Sequence, residues 1–295
     1  MNISLVLKNE SFNHIENKNH DDLYELLIDL QETKDNIKIS GEKTFRNDEI
    51  YNEEIKKGIE IYKIVFMEDL DGISVEEAKL LSKIINHTTP MDDITYNDLS
   101  GNIGNRSNPF GFLCCFLNDD TPLHINNPTQ ISSIRKHYLH FITEPSKFIQ
   151  SCKICFPNLA FHESVAQSLN SLSTPLNNYS REIIRHLEAI NDIFHPLYKE
   201  TKHDGMVEIL KILKAQAPLE CSLEGDAKSA RKRFLFEFIN DSGEIEELVC
   251  EPHTKLEGTG NPGDTEYRTD RIYFHGGREN IESGKTLIAH IGCHL

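Results

Sequence analysis

Three runs between Val249 and Leu295 set histidine, lysine, arginine and tyrosine on alternate residues. They are Glu251-Pro252-His253-Thr254-Lys255, Tyr267-Arg268-Thr269-Asp270-Arg271-Ile272-Tyr273-Phe274-His275, and Lys285-Thr286-Leu287-Ile288-Ala289-His290-Ile291-Gly292-Cys293-His294-Leu295. Alternation at period two marks a half-buried strand. Side by side on one face, such strands bring His253, Lys255, Arg271, Tyr273 and His290 together. That set suits general acid–base work on a phosphodiester without a metal or cofactor. Free imidazole titrates near neutrality, so His253 and His290 form the acid–base pair. Lys255 and Arg271 hold the phosphate and meet the charge of the phosphorane. Tyr273 stacks a base or assists proton transfer, and Arg268, His275 and His294 flank the set as substrate contacts. A 2′-hydroxyl nucleophile makes RNA the substrate. The competing reading is that these are the ordinary solvent-facing alternates of a twisted sheet.

Two other groups carry metal chemistry on paper. Cys152 and Cys155 at CxxC spacing, with His162 downstream and Cys114, Cys115 and His124 upstream, offer thiolate and imidazole ligands for zinc. Asp241, Glu251 and Lys255 resemble the acidic pair and lysine of a metal-dependent nuclease hairpin, although Glu and Lys stand four apart where that motif spaces them by two. The Gly258-Thr259-Gly260-Asn261-Pro262-Gly263 stretch lacks the Lys-Ser/Thr and helix of a phosphate-binding loop and reads as a turn.

The polar alternates need a sheet to hold them. The period predicts four antiparallel strands at 233–239, 245–256, 270–276 and 285–292, with Asn240-Asp241-Ser242-Gly243 turning the first hairpin. The strand order, the Arg-Ile-Tyr-Phe run at 271–274 and the closing Ile-Ala-His-Ile-Gly at 288–292 resemble the C-terminal sheet of RelE-type mRNA interferases. That likeness covers the last quarter of the chain and implies a small toxin-like ribonuclease unit that needs no metal. The family is small and basic and leans on Lys and Arg, whereas the positions here are rich in His.

Upstream, Met1–Asn9 reads as a first strand, and 21–30, 52–70, 128–141, 178–198 and 206–214 read as helices. Ser74-Val75-Glu76-Glu77 forms a capping box for a helix through Ile85. The polar stretch 88–107 reads as a long loop and 111–117 as a buried strand. The small residues and proline of 218–228 mark a boundary. The expected class is therefore α+β: a helix-rich part over 1–220 that binds a partner or inhibitor, then an antiparallel sheet domain over 228–295 with the site.

Of the 295 residues, 38% are hydrophobic and 26% charged, enough apolar material for a packed core. The net charge of −16 excludes a protein that coats nucleic acid by non-specific charge, but not a basic pocket on an acidic body. No apolar run is long enough to cross a bilayer. Seven cysteines without a secretion signal suggest free thiols in a reducing cytoplasm. The expectation is a cytosolic, bacterial-type ribonuclease toxin or defence effector. Its rival is a non-catalytic adaptor in a protein complex.

Overall fold

The computed structural model describes residues 3–13, 20–39, 42–70, 72–101, 109–115, 121, 123–201, 205–223, 231–256 and 270–295. The fold is mixed α/β, and the chain divides into two compact units, Met1–Tyr138 and Leu139–Leu295.

Unit 1 is built on a parallel sheet. Its elements are β1 (Ser4–Leu7), α1 (His20–Ile39), β2 (Lys43–Asn47), β3 (Glu54–Lys56), β4 (Ile59–Glu60), α2 (Ile61–Val65), α3 (Val75–Asn86), β5 (Thr89–Met91), α4 (Asp93–Gly101), β6 (Phe110–Leu113), β7 (His124–Ile125) and α5 (Ile131–Leu139), whose last residue lies across the division. The strands run β5-β2-β1-β6-β7, each pair parallel. Leu5, Val6 and Leu7 are all buried, as the unbroken apolar run of a central parallel strand requires. Gly111 lets α5 close on the sheet: a Cβ there would lie 2.3 Å from Cδ1 of Ile134. The capping box forms as expected, with Ser74 and Glu77 exchanging bonds at the start of α3.

Two expectations for this part change. Residues 52–70 are not one helix; Gly58, at φ +78°, turns β3 back onto β4 before the short α2. Within 88–107 the described residues hold β5 and α4, not a loop. Asp92 starts that helix by accepting from the Thr95 backbone and hydroxyl, so its cap compensates for few apolar anchors. The N-terminal part is thus organised by a parallel sheet as much as by helices.

Unit 2 contains α6 (Pro145–Cys155), β8 (Leu159–Phe161), α7 (Val165–Ser168), α8 (Leu176–Ala189), a π-helical turn (Ile190–Phe194), α9 (His195–Glu200) and α10 (Met206–Gln216). Then follow β9 (Glu220–Ser222), β10 (Leu235–Ile239), β11 (Ile245–Val249), β12 (His253–Lys255), β13 (Asp270–His275) and β14 (Thr286–Cys293). The main sheet runs β8-β14-β13-β12-β9, with β8 parallel to β14 and every other pair antiparallel. The apolar stripe of α8 and the π turn backs one face, where the Phe194 and Phe274 rings stand 4.8 Å apart.

The expected single four-stranded sheet is two sheets. The 240–243 turn does close a hairpin, but among the described residues β10 and β11 pair only with each other. Pro252 interrupts the predicted 245–256 strand, since it has no N–H to continue a ladder, and β12 restarts beside β13. The expected boundary at 218–228 also moves. The division falls at 138/139, because β9 pairs with β12 and β8 with β14, tying the upstream residues to the sheet.

Candidate functional site

The antiparallel register sets the predicted residues in rows. His253 pairs with Tyr273, which pairs with His290. One step of the pleat away, Lys255 pairs with Arg271, which pairs with Gly292. Alternation puts both rows on the same face. Ring centroids of His253 and Tyr273 stand 5.1 Å apart, those of Tyr273 and His290 5.9 Å, and His294 reaches within 6.4 Å of Tyr273. Five predicted residues therefore share one face, and His294 joins them from beyond β14.

That face is not wet. Tyr273 is 0%, His253 1% and His290 8% exposed, while Lys255 and Arg271 are half-buried. Leu287 and Ala289 of β14 pack against Phe238, Leu248 and Cys250, so the β10–β11 hairpin lies over this side of the sheet. Phe234, just before β10, stands 5.4 Å from the Tyr273 ring. The expectation of a solvent-facing polar surface fails because a second sheet covers it.

Each buried group has specific partners. Nδ1 of His253 stands 3.1 Å from the Glu251 carbonyl, and its Nε2 stands 3.1 Å from the Ser222 hydroxyl. A carbonyl only accepts, so the neutral ring carries its proton on Nδ1 and accepts from Ser222 at Nε2. Nη1 of Arg271 donates to the Tyr273 hydroxyl at 3.0 Å. Nε2 of His290 meets the Cys293 carbonyl at 2.9 Å. Burial pushes the His290 imidazole below its usual value, against the opposing pulls of that carbonyl and of Asp270. Asp270 is itself buried and accepts from the backbone and hydroxyl of Ser173.

Between Tyr273 and Phe274 the ladder slips by one residue: Tyr273 faces His290, but Phe274 faces Ile288, leaving Ala289 as a β-bulge. His275 lies past this bulge, paired with Leu287, and its Nδ1 accepts from the Gly277 N–H at 3.0 Å. Arg268 and the 258–263 glycine stretch lie outside the described residues. Ser222 was missed by sequence reasoning. Its strand spans only Glu220–Ser222, too short to carry a period of its own.

Neither proposed metal group is drawn together among the described residues. Cys152 and Cys155 are buried on α6, and burial, then the nearby Cys155, pushes the Cys152 thiol well above its usual value. His162 turns Nδ1 to the Ser164 hydroxyl and Nε2 to the Glu237 carbonyl. Asp241 sits in the hairpin turn at one end of β11 and Glu251 beyond its other end, while Lys255 is on another strand. Among the described residues no group of three or more His, Cys, Asp or Glu side chains stands ready to hold a metal. Also among the described residues, no helix is long and apolar enough to cross a membrane.

No protein-family model, curated protein or solved structure matches the chain.

Proposed function

We propose that unit 2 is a metal-independent ribonuclease of the effector type, cutting RNA by acid–base catalysis at the His253–Tyr273–His290 row. The observation that carries this reading is the register itself. Two imidazoles flank a tyrosine across three strands, with Lys255 and Arg271 one pleat away on the same face. The depressed pKa of His290 keeps its ring neutral at pH 7, the form that accepts a proton from a 2′-hydroxyl. The freed 2′-oxygen attacks phosphorus, the P–O5′ bond breaks, and His253 in its protonated form supplies the proton that the departing 5′-oxygen takes up. Lys255 and Arg271 lie where cations meet the charge of the phosphorane. The likeness of the last quarter to RelE-type interferases supports the same class.

A second reading, a non-catalytic interaction protein, is favoured by the near-complete burial of the row. A hydrogen-bonded His–Tyr–His row also serves as a polar core. The test is cleavage of an end-labelled RNA by the full-length protein in excess EDTA. Products ending in 2′,3′-cyclic phosphate, lost in a folded His253→Ala, His290→Ala double variant, support the ribonuclease. Absence of wild-type cleavage with and without divalent metal leaves the interaction protein.

A further inference from the structure

The outer edge of β10 faces a groove and pairs with no strand among the described residues, and the His162 ring rests against Phe236 and Phe238 beside it. Two bonds flank the hairpin ladder, from the Cys250 N–H to the Phe234 carbonyl at 2.8 Å and from the Asn240 N–H to the Glu244 carbonyl at 2.8 Å. Bonded and non-bonded pairs alternate along an antiparallel ladder. Phe236 and Phe238 are therefore the residues of β10 bonded to β11. Leu235, Glu237 and Ile239 turn their N–H and C=O groups the other way. The one partner these outward groups find among the described residues agrees with that assignment: Nε2 of His162 donates to the Glu237 carbonyl at 3.0 Å.

A groove of about 580 Å³ lies beside this edge, with Phe161, Phe236 and Phe238 among its lining. Its mouth carries exposed apolar side chains, Ile239 at 69% and Ile245 at 65%. It also carries acid. Glu163, Glu237 and Glu282 line it, and Glu237 pairs across the hairpin with Glu247. Like charges directly opposite on one sheet face repel. Among the described residues none of these four carboxylates has a lysine or arginine partner. On the hairpin's other face, by contrast, Glu246 is met by Arg278 at 3.2 Å.

We infer that β10 takes up an extended segment of a partner protein as an added strand, and that this segment alternates lysine or arginine with apolar residues. The outward N–H and C=O groups supply the main-chain pairing, with His162 giving up the Glu237 carbonyl as the strand enters, and the side-chain alternation supplies the selectivity. Apolar alternates lie beside Phe236 and Phe238; cationic alternates lie beside Glu237 and relieve its repulsion from Glu247. A second copy of this chain is a poor occupant, because pairing two β10 edges brings Glu237 toward its own duplicate on a body of net charge −16. The inference stands apart from the ribonuclease reading, since it concerns the hairpin's outer edge and is read without RNA.

The experiment is fluorescence anisotropy of the full-length protein with a labelled alternating Lys-Val octapeptide. Its comparators are a Glu-Val octapeptide and the Lys-Val peptide N-methylated on alternate backbone amides. Saturable binding of the first alone is expected, together with slowed hydrogen exchange at the Leu235, Glu237 and Ile239 amides. A Glu237→Lys, Glu282→Lys variant with unchanged thermal unfolding should bind about tenfold more weakly or worse. Absence of Lys-Val binding overturns the inference, as does equal binding of the acidic or N-methylated peptide. Concentration-dependent self-association abolished by the same double reversal also overturns it, by placing a second copy on the edge.

Discussion

The Ser222 hydroxyl stands 3.1 Å from Nε2 of His253, across the pairing of β9 with β12. The bond joins a strand of only three residues to the buried row, while the Glu251 carbonyl at Nδ1 sets which nitrogen of His253 carries the proton. Ser222→Ala removes the donor beside a ring that is 1% exposed, and should cost about 1 kcal/mol in urea unfolding. Ser222→Thr, which keeps a hydroxyl, should recover most of that loss. Equal stability of Ser222→Ala and wild type would mean that the bond contributes nothing.

His290 makes stability depend on pH. Its folded pKa lies below the usual imidazole value of 6.5, so on acidification the unfolded chain takes up the proton first. Stability from this group is complete above about pH 6.5 and is lost as pH falls from there through the folded pKa. His290→Gln cannot titrate and should flatten that part of the profile. Parallel slopes for wild type and variant between about pH 8 and about pH 5 would contradict the assignment.

Gly292 sits where β14 meets the residues following α7. A Cβ there would fall 2.2 Å from Oγ of Ser171 and 2.5 Å from the Ser168 carbonyl. Gly292→Ala should therefore destabilise by about 1–3 kcal/mol. Adding Ser171→Gly should rescue little, because the Ser168 backbone oxygen remains in the way. Full rescue in chemical denaturation would place the strain on the Ser171 side chain alone.

Phe274 is fully buried against Phe194 of the π-helical turn, with centroids 4.8 Å apart. Phe274→Ala should cost about 3–5 kcal/mol through lost burial and the cavity left behind. A drop below about 1 kcal/mol by calorimetry would show that the face between sheet and helices is loosely packed.

The row was legible because β12, β13 and β14 keep period two, so residue type and register follow from parity alone. His253, Tyr273 and His290 could be aligned on paper. Their burial could not, because it depends on the hairpin folding over that face, a contact between Leu287 or Ala289 and Phe238 or Leu248 that no local pattern encodes. Strands as short as Leu159–Phe161, Thr89–Met91 and Glu220–Ser222 hold too few residues to declare a period. Their neighbours in the sheet decide that they are strands. The long helices after Leu176 and Met206 were visible because a stripe of spacing three and four survives over several turns. The composition shift at 218–228 marked a change of period, which is not the same as a loss of contact.

The bulge at Ala289 works as a one-residue phase shift within β14. Side chains two apart on a regular strand point the same way, yet Ile288 pairs with Phe274 toward the helices while His290 pairs with Tyr273 beneath the hairpin. The strand thus changes frame once, between its apolar half and its polar half. Deleting Ala289 would remove the bulge and make Ile288 and His290 neighbours, leaving His290 opposite Tyr273 and Ile288 opposite Phe274 in a regular ladder. Substitutions at Ala289 change only a side chain, whereas a residue lost elsewhere within Thr286–Cys293 slips every pair beyond it. β14 should therefore tolerate deletion of Ala289 better than deletion of Ile291, which would slip Gly292 and Cys293 out of pairing with Arg271 and Asp270.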